Sequence, residues 1–249
     1  MESEEVHHEL DPKGDTILVL RNANAPFAVW DDPKRENVAS QAAASETTQI
    51  AESSSQDETT TDPPAPQPEP PHIHFRLSSR HLILASRYFE KMMEGPWSES
   101  GTIPSFESPR IVYADDWDEQ VLLILMKIVH GRSREVPRKL DLEVMAKFAV
   151  LVDYYQCLEI TDIYVETWLR RLPKISGVYD RQLILRLAVS WIIPEKNALG
   201  DIAQVIVNQC TGPIRTLDLP IPQAVVGESD LAQVFCQFHV VDSDHKCHR

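Results

Sequence analysis

Residues 36–71, ENVASQAAASETTQIAESSSQDETTTDPPAPQPEPP, hold seven acidic residues, no lysine, no arginine and no aromatic side chain. Such a stretch cannot bury enough apolar surface to offset the entropy of ordering it, so it reads as disordered. Its DPPAPQPEPP end leans toward extended polyproline. The flanks have the character of folded protein. Before it, Thr16–Arg21 and Phe27–Trp30 are short β-type runs around the turn-prone NANAP; after it, HIHFRL (72–77) is another. The stretch is therefore an insertion inside a sheet region, not a linker between domains. Any fold of this chain has to bring the two sides of the insertion back together.

Charge follows the same division. Of the net −14, residues 1–10 contribute four acids and residues 36–71 contribute seven, with no lysine or arginine in either, which leaves −3 for everything else. A near-neutral folded part offers no basic stripe for a phosphate backbone, so direct nucleic-acid binding is not expected. The longest apolar run, VLLILM (121–126), is a third of the roughly 18 residues that span a bilayer, and no membrane association is expected. The start, MESEEVHHEL, lacks the basic-then-apolar order of a secretory signal. Cys157, Cys210, Cys236 and Cys247 are scattered, as in a reducing compartment. Both features point to an intracellular protein, cytoplasmic or nuclear.

Helical signals dominate further on. Ser78 or Ser79 can cap a helix carrying Leu82, Ala85, Phe89 and Met92/Met93, stopped by Gly95-Pro96. IVYA (111–114) reads as a strand. Asp115 or Asp116 then caps an apolar helix over 117–130, ended by Gly131, with Val121, Leu122, Leu125 and Val129 as its core stripe. Asp141 caps a helix to about Gln156, and helices over about 159–172, 180–193 and 195–210 follow. Short early strands and later helices make the chain α+β, with a mostly helical second half. From Glu228 onward no periodicity is sustained.

Three histidines, His72, His74 and His81, raise the question of a metal site, because imidazoles at i and i+2 share one face of a strand. No cysteine or carboxylate at fixed spacing completes a ligand set, so they read as surface and packing residues. The tail cluster His239, Asp242, Asp244, His245, Cys247 and His248 has ligand types but no recognisable spacing, and reads as solvated. The chain has no G-x-S-x-G, G-x-x-x-x-G-K-[ST], H-E-x-x-H or G-x-G-x-x-G motif. No enzyme activity, cofactor or metal is expected.

Four stretches, GDTILVL, LSSRHLILASRYFEKMM, LLILMKIVHG and LEVMAKFAVLVDYYQC, resemble the BTB/POZ domain, in particular the group common in filamentous fungi. Asp15 stands at the family's acidic position in the opening strand. Leu82, Ser86 and Phe89 match its Leu-x-x-x-Ser-x-x-Phe pattern, and Asp153, Tyr155 and Cys157 match Asp-x-Tyr-x-Cys. Departures are His130 for the common Thr, Val152 for Ala, and Ser78 where animal members often carry His.

The resemblance covers 14–165, interrupted at about 36–71, and continues loosely through WLRRL, VSWII and LDLPIP over 166–227. Residues 1–13 would then be a disordered acidic arm and 228–249 a disordered tail. The implied fold is the α+β BTB/POZ fold, a short β-sheet flanked by a helical cluster, with a C-terminal helical extension.

What the resemblance implies is non-enzymatic protein–protein interaction. The family homodimerises through its first strand and first helix, and some members bind a cullin scaffold through a hydrophobic-x-Glu motif after the Leu-x-x-x-Ser-x-x-Phe helix. Trp97, Ser98 and Glu99 stand at that place. A Trp can anchor in a partner pocket while a Glu fixes orientation. The same three residues would equally arise if Trp97 only covers the end of its own helix. Two readings stay open: a substrate adaptor of a cullin-RING ubiquitin ligase, or a scaffold or transcription-associated dimerisation protein without cullin binding.

Overall fold

A computed structural model describes residues 6–30, 72–94, 105–195, 198–210 and 212–222. The described residues up to Ala28 and from His72 onward belong to one compact unit; Val29 and Trp30 fall in a second, Val29–Pro70. The first unit holds every described strand and helix. Two expectations, the disordered insertion at 36–71 and the disordered tail at 228–249, lie outside the described residues.

Four strands form one sheet in the order β1-β3-β2-β4: β1 (Val6–Glu9), β2 (Thr16–Arg21), β3 (Ile73–Leu77) and β4 (Arg110–Asp115). Strands β2 and β3, from opposite sides of the insertion, pair antiparallel with Leu18 opposite Phe75 and Leu20 opposite Ile73. Strand β1 runs parallel to β3, and β4 parallel to β2. The period-2 alternation decides which face is covered. Ile73, Phe75 and Leu77 are buried while His74 and Arg76 are half-buried, and Leu18 and Leu20 lie on the same inner side. Each of these apolar side chains contributes about 1.5–3 kcal/mol by leaving water. On the outer face Ile111 and Tyr113 of β4 remain exposed.

The helices are α1 (Ser79–Ala85), α2 (Arg87–Glu94), α3 (Glu119–Val129), α4 (Leu142–Tyr154), α5 (Leu158–Leu169), α6 (Arg181–Ile192) and α7 (Ala198–Gln209), with a 3-10 turn at Ser133–Glu135. The chain is thus α+β, as the order of its elements predicts. Val121, Leu122, Leu125 and Val129 of α3 are buried, as are Met145, Phe148, Leu151 and Val152 of α4. Asp141 caps α4 by accepting the Val144 N–H at 2.9 Å, and Asp180 caps α6 through Leu183 N–H at 2.9 Å. Among the described residues no helix is long and apolar enough to cross a membrane.

Several expectations are corrected. Residues 1–13 are not wholly a disordered arm: β1 forms over Val6–Glu9 on the edge of β3 that β2 leaves free. The His8 ring packs 4.8 Å from that of Phe75, and Arg132 donates to the Leu10 carbonyl at 2.7 and 3.0 Å. Four residues with two histidines carry too little periodicity to announce a strand. Phe27–Trp30 is not a strand: Ala28 breaks the extended path at φ 47°. The first helix is two helices, broken at Ser86 (φ −143°, ψ 120°). The cap of α3 is Asp118, which accepts Gln120 and Val121 N–H at 3.0 and 3.1 Å. Asp115 is still in β4, paired with Arg21 at 2.7 Å, and Asp116 turns the chain at φ 66°. Helix α5 stops at Leu169 rather than about 172.

Candidate protein-interaction surface

Trp97, Ser98 and Glu99 lie outside the described residues, between Glu94 at the end of α2 and Ser105. The described helix that precedes them, α2, packs with α1 against the end of α4. Ser86 sits at the break between α1 and α2, with its Oγ accepting the Phe89 N–H at 3.2 Å and donating to the Tyr155 carbonyl. That hydroxyl is why the chain can leave the helix and restart within one residue: it supplies the cap that the new helix needs. The Phe89 and Tyr155 rings stack 4.9 Å apart, and Cys157 closes the α4 terminus with its N–H on the Val152 carbonyl at 3.1 Å. Leu82, Ser86, Phe89, Tyr155 and Cys157 are all buried. Burial raises the Tyr155 phenol above its ordinary pKa and pushes the Cys157 thiol up to about 12, so neither is a reactive group. These residues make one structural knot.

The start of α1 is held from the other side. Ser78 occupies the cap position but makes no side-chain cap; the Asp15 carboxylate does so instead, taking Ser79 N–H at 2.7 Å and Ser79 Oγ–H at 2.6 Å. Burial alone would raise the Asp15 carboxyl, but the Ser79 hydrogen bonds outweigh it and hold the group below its ordinary range. His130 completes the junction. Its Nδ1 faces the Met126 carbonyl at 2.9 Å, and its Nε2 accepts the Ser78 N–H at 3.0 Å, which requires the neutral ring protonated at Nδ1. Burial lowers the His130 pKa, and the His81 ring stacks on it at 5.1 Å.

An aromatic rim lies above the knot. Tyr88, Trp117 and Tyr154 surround Tyr155, with ring separations of 5.2 Å from Tyr154 to both Tyr88 and Trp117. Tyr154 is 49% exposed, while Tyr88 and Trp117 are half-buried. Large aromatic side chains with polar edges suit protein contact, since they bury much area at little rotamer cost. The sequence carries this signal as YF (88–89), Trp117 and YY (154–155), three separate stretches that only the fold joins. On α1, Leu84 is 88% exposed. An exposed Leu alone means little.

A second group of polar side chains ties elements together. Lys147 bridges Asp118 at 2.8 Å and Glu143 at 3.5 Å, and Arg181 joins Glu143 at 2.9 Å to the Phe27 and Ala28 carbonyls at 3.1 and 2.8 Å. This network ties α3, α4 and α6 to the turn after β2. The adjacent depression of about 360 Å³ is lined by Asp141, Leu142, Glu143, Val144, Lys147 and Gln182, with charges of both signs and no nucleophile–base pair. His8 binds Glu119 at 2.8 Å. His72 and His74 are half-buried at and beside β3, and His81 is exposed on α1. Among the described residues no three His, Cys, Asp or Glu side chains are grouped to hold a metal ion. The chain matches no family model and no curated protein.

Proposed function

We propose that the chain is a BTB/POZ-type interaction protein that self-associates and recruits a partner, acting as a substrate adaptor of a cullin-RING ubiquitin ligase through Trp97, Ser98 and Glu99. One observation carries the fold part: the residues matching the family patterns, Leu82, Ser86, Phe89, Tyr155 and Cys157, come from stretches some 70 positions apart and are buried in a single knot between α1–α2 and α4. Chance matches to two short patterns would have no reason to converge. The Asp15–Ser79 bond gives the family's acidic position a physical task as well. The adaptor part is supported by the place of WSE in the sequence, just after the end of α2, the helix that contributes Tyr88 to the aromatic rim. Exposed Leu84 on α1 supports self-association.

Light scattering on a sizing column tests both parts. The full chain is run alone and with the N-terminal domain of its host's BTB-partner cullin, alongside Trp97→Ala/Glu99→Ala and Leu84→Glu. The adaptor reading expects a dimer that gains cullin mass and loses it in the double variant, and a monomer for Leu84→Glu. A dimer that takes up no cullin well above micromolar concentration retires the adaptor and leaves the scaffold. A monomer in every run counts against both.

A further inference from the structure

The near-neutral folded part is not evenly neutral. The loop after α3 and the segment just after α5 together carry Arg134, Arg138, Lys139, Arg171 and Lys174, all exposed and, among the described residues, none paired with a carboxylate. Two neighbouring acids are engaged elsewhere: Glu135 by Lys127 and Arg132, and Glu166 by Arg170. Nor is the loop loose. Tyr164 Oη donates to Ser133 Oγ at 2.8 Å, Trp168 Nε1 to the Pro137 carbonyl at 2.8 Å, and Arg171 Nη1 to the Arg138 carbonyl at 2.6 Å. Positions 164, 168 and 171 lie on one face of α5 and just beyond it, so the loop's backbone is laced along that face.

We propose that this surface docks a short acidic peptide segment of a partner protein. Guanidinium groups match carboxylates in bidentate geometry, and a backbone already pinned loses little freedom on binding. The size of the ligand follows from what surrounds the patch. Exposed Glu159, Asp162 and Glu166 occupy the earlier turns of α5, and exposed Asp141 follows the loop. A long polyanion would run onto these like charges; a short acidic segment would not. Single-stranded nucleic acid also needs exposed rings to stack on, whereas Trp168 is buried. The apolar residues of the loop itself, Val136 and Leu140, are buried too, so the loop offers none to insert into a lipid surface. This docking site is independent of Trp97–Glu99 and of the cullin reading.

The test is fluorescence anisotropy of a fluorescein-labelled peptide of alternating Glu and Ser, titrated with the full chain at low ionic strength. Saturable binding that weakens as salt rises is expected. Arg138→Glu/Lys139→Glu/Lys174→Glu should weaken it at least about tenfold. The milder Arg138→Gln/Lys139→Gln/Lys174→Gln should fall between that variant and wild type, with unchanged circular dichroism. Reversing three exposed cations elsewhere, Arg80→Glu/Arg87→Glu/Lys91→Glu, should change affinity less than about twofold. The proposal is overturned if the peptide does not bind, if both reversals weaken binding equally, or if a DNA duplex or phosphatidylserine vesicle binds more tightly than the peptide.

Discussion

From β2 to α5 the junctions between elements are fixed by polar bonds that reach far along the chain; the body of α6, beyond the Arg181 bonds at its start, is held mainly by burial. In the first region each junction has a named donor and acceptor: Asp15 with Ser79, His130 with Ser78, Ser86 with Tyr155, Trp168 with Pro137. In the second, eight consecutive residues of α6, Leu183 to Ser190, are buried, and the helix packs between α4 and α7. There, among the described residues, Arg186 has Glu195 as its one partner, with Nε and Nη1 unpaired, and Ser190 Oγ is unpaired as well. Directional bonds specify where elements meet, while burial mainly specifies that they meet. A region that presents a surface to partners needs the first kind of order; a helix that seals the far side of the core can do with the second.

The largest expected effect removes the knot. Phe89→Ala deletes a fully packed ring stacked on Tyr155 and should cost about 3–5 kcal/mol in urea unfolding. A cost below about 1.5 kcal/mol would mean that the α1–α2/α4 junction collapses around the gap, and that the polar bonds do not fix its geometry. Next comes the cap. Asp15→Ala removes acceptors from the Ser79 amide and hydroxyl at once and should cost about 2 kcal/mol. Since the folded Asp15 carboxyl lies below its unfolded value of 3.8, its contribution is present above that value and is lost as pH falls through the folded pKa. The wild-type advantage should therefore hold at neutral pH and vanish in strong acid.

His130 sharpens the comparison with a smaller effect that depends on pH in the physiological range. His130→Ala leaves the Ser78 N–H without its acceptor and should cost about 1 kcal/mol near pH 8. Burial, the largest cause, depresses the folded pKa below the unfolded 6.5, so below that value the unfolded chain takes up the proton first. Stability contributed by the neutral ring is thus complete above about pH 6.5 and declines toward the folded pKa. The charges facing the ring, His81 and Arg132 against it and Asp11 for it, adjust this without reversing it. The gap between wild type and variant should narrow as pH is lowered to about 5.5. A gap that stays constant would show that the ring is not held neutral.

The same contrast explains what can be read from the sequence. Helices α3, α4 and α6 are legible because long apolar periods and a cap or a glycine mark them, and Asp141 is recognisable as a cap from its place ahead of the α4 period. The sheet is legible only in part: β3 alternates clearly and β2 and β4 are short β-type apolar runs, while β1, four residues without alternation, forms because β3 has a free edge. The Asp15 cap cannot be found locally, since donor and acceptor are 64 positions apart. Likewise the break at Ser86 depends on Tyr155, a neighbour that only the fold supplies. The aromatic rim and the cationic surface are hidden for the same reason: each gathers residues from separate elements, and average composition conceals them. For Trp97, Ser98 and Glu99 the sequence remains the source.

The smallest expected effect lies in the second region and has the opposite sense. Arg186 is 7% exposed in its side chain, ion-paired to Glu195, and leaves two donors unpaired. Bringing a guanidinium into such a place costs several kcal/mol, which one partly exposed carboxylate does not fully repay. Arg186→Met/Glu195→Gln replaces the cation with an adaptable apolar chain of similar length and strands no charge. Stability should change by less than about 1 kcal/mol, or rise. Beside the Asp15→Ala loss, that would separate a polar contact that specifies a junction from one that burial merely tolerates. A loss above about 2 kcal/mol would instead show that the guanidinium has acceptors besides Glu195, and that directional bonds hold the body of α6 as well as its start.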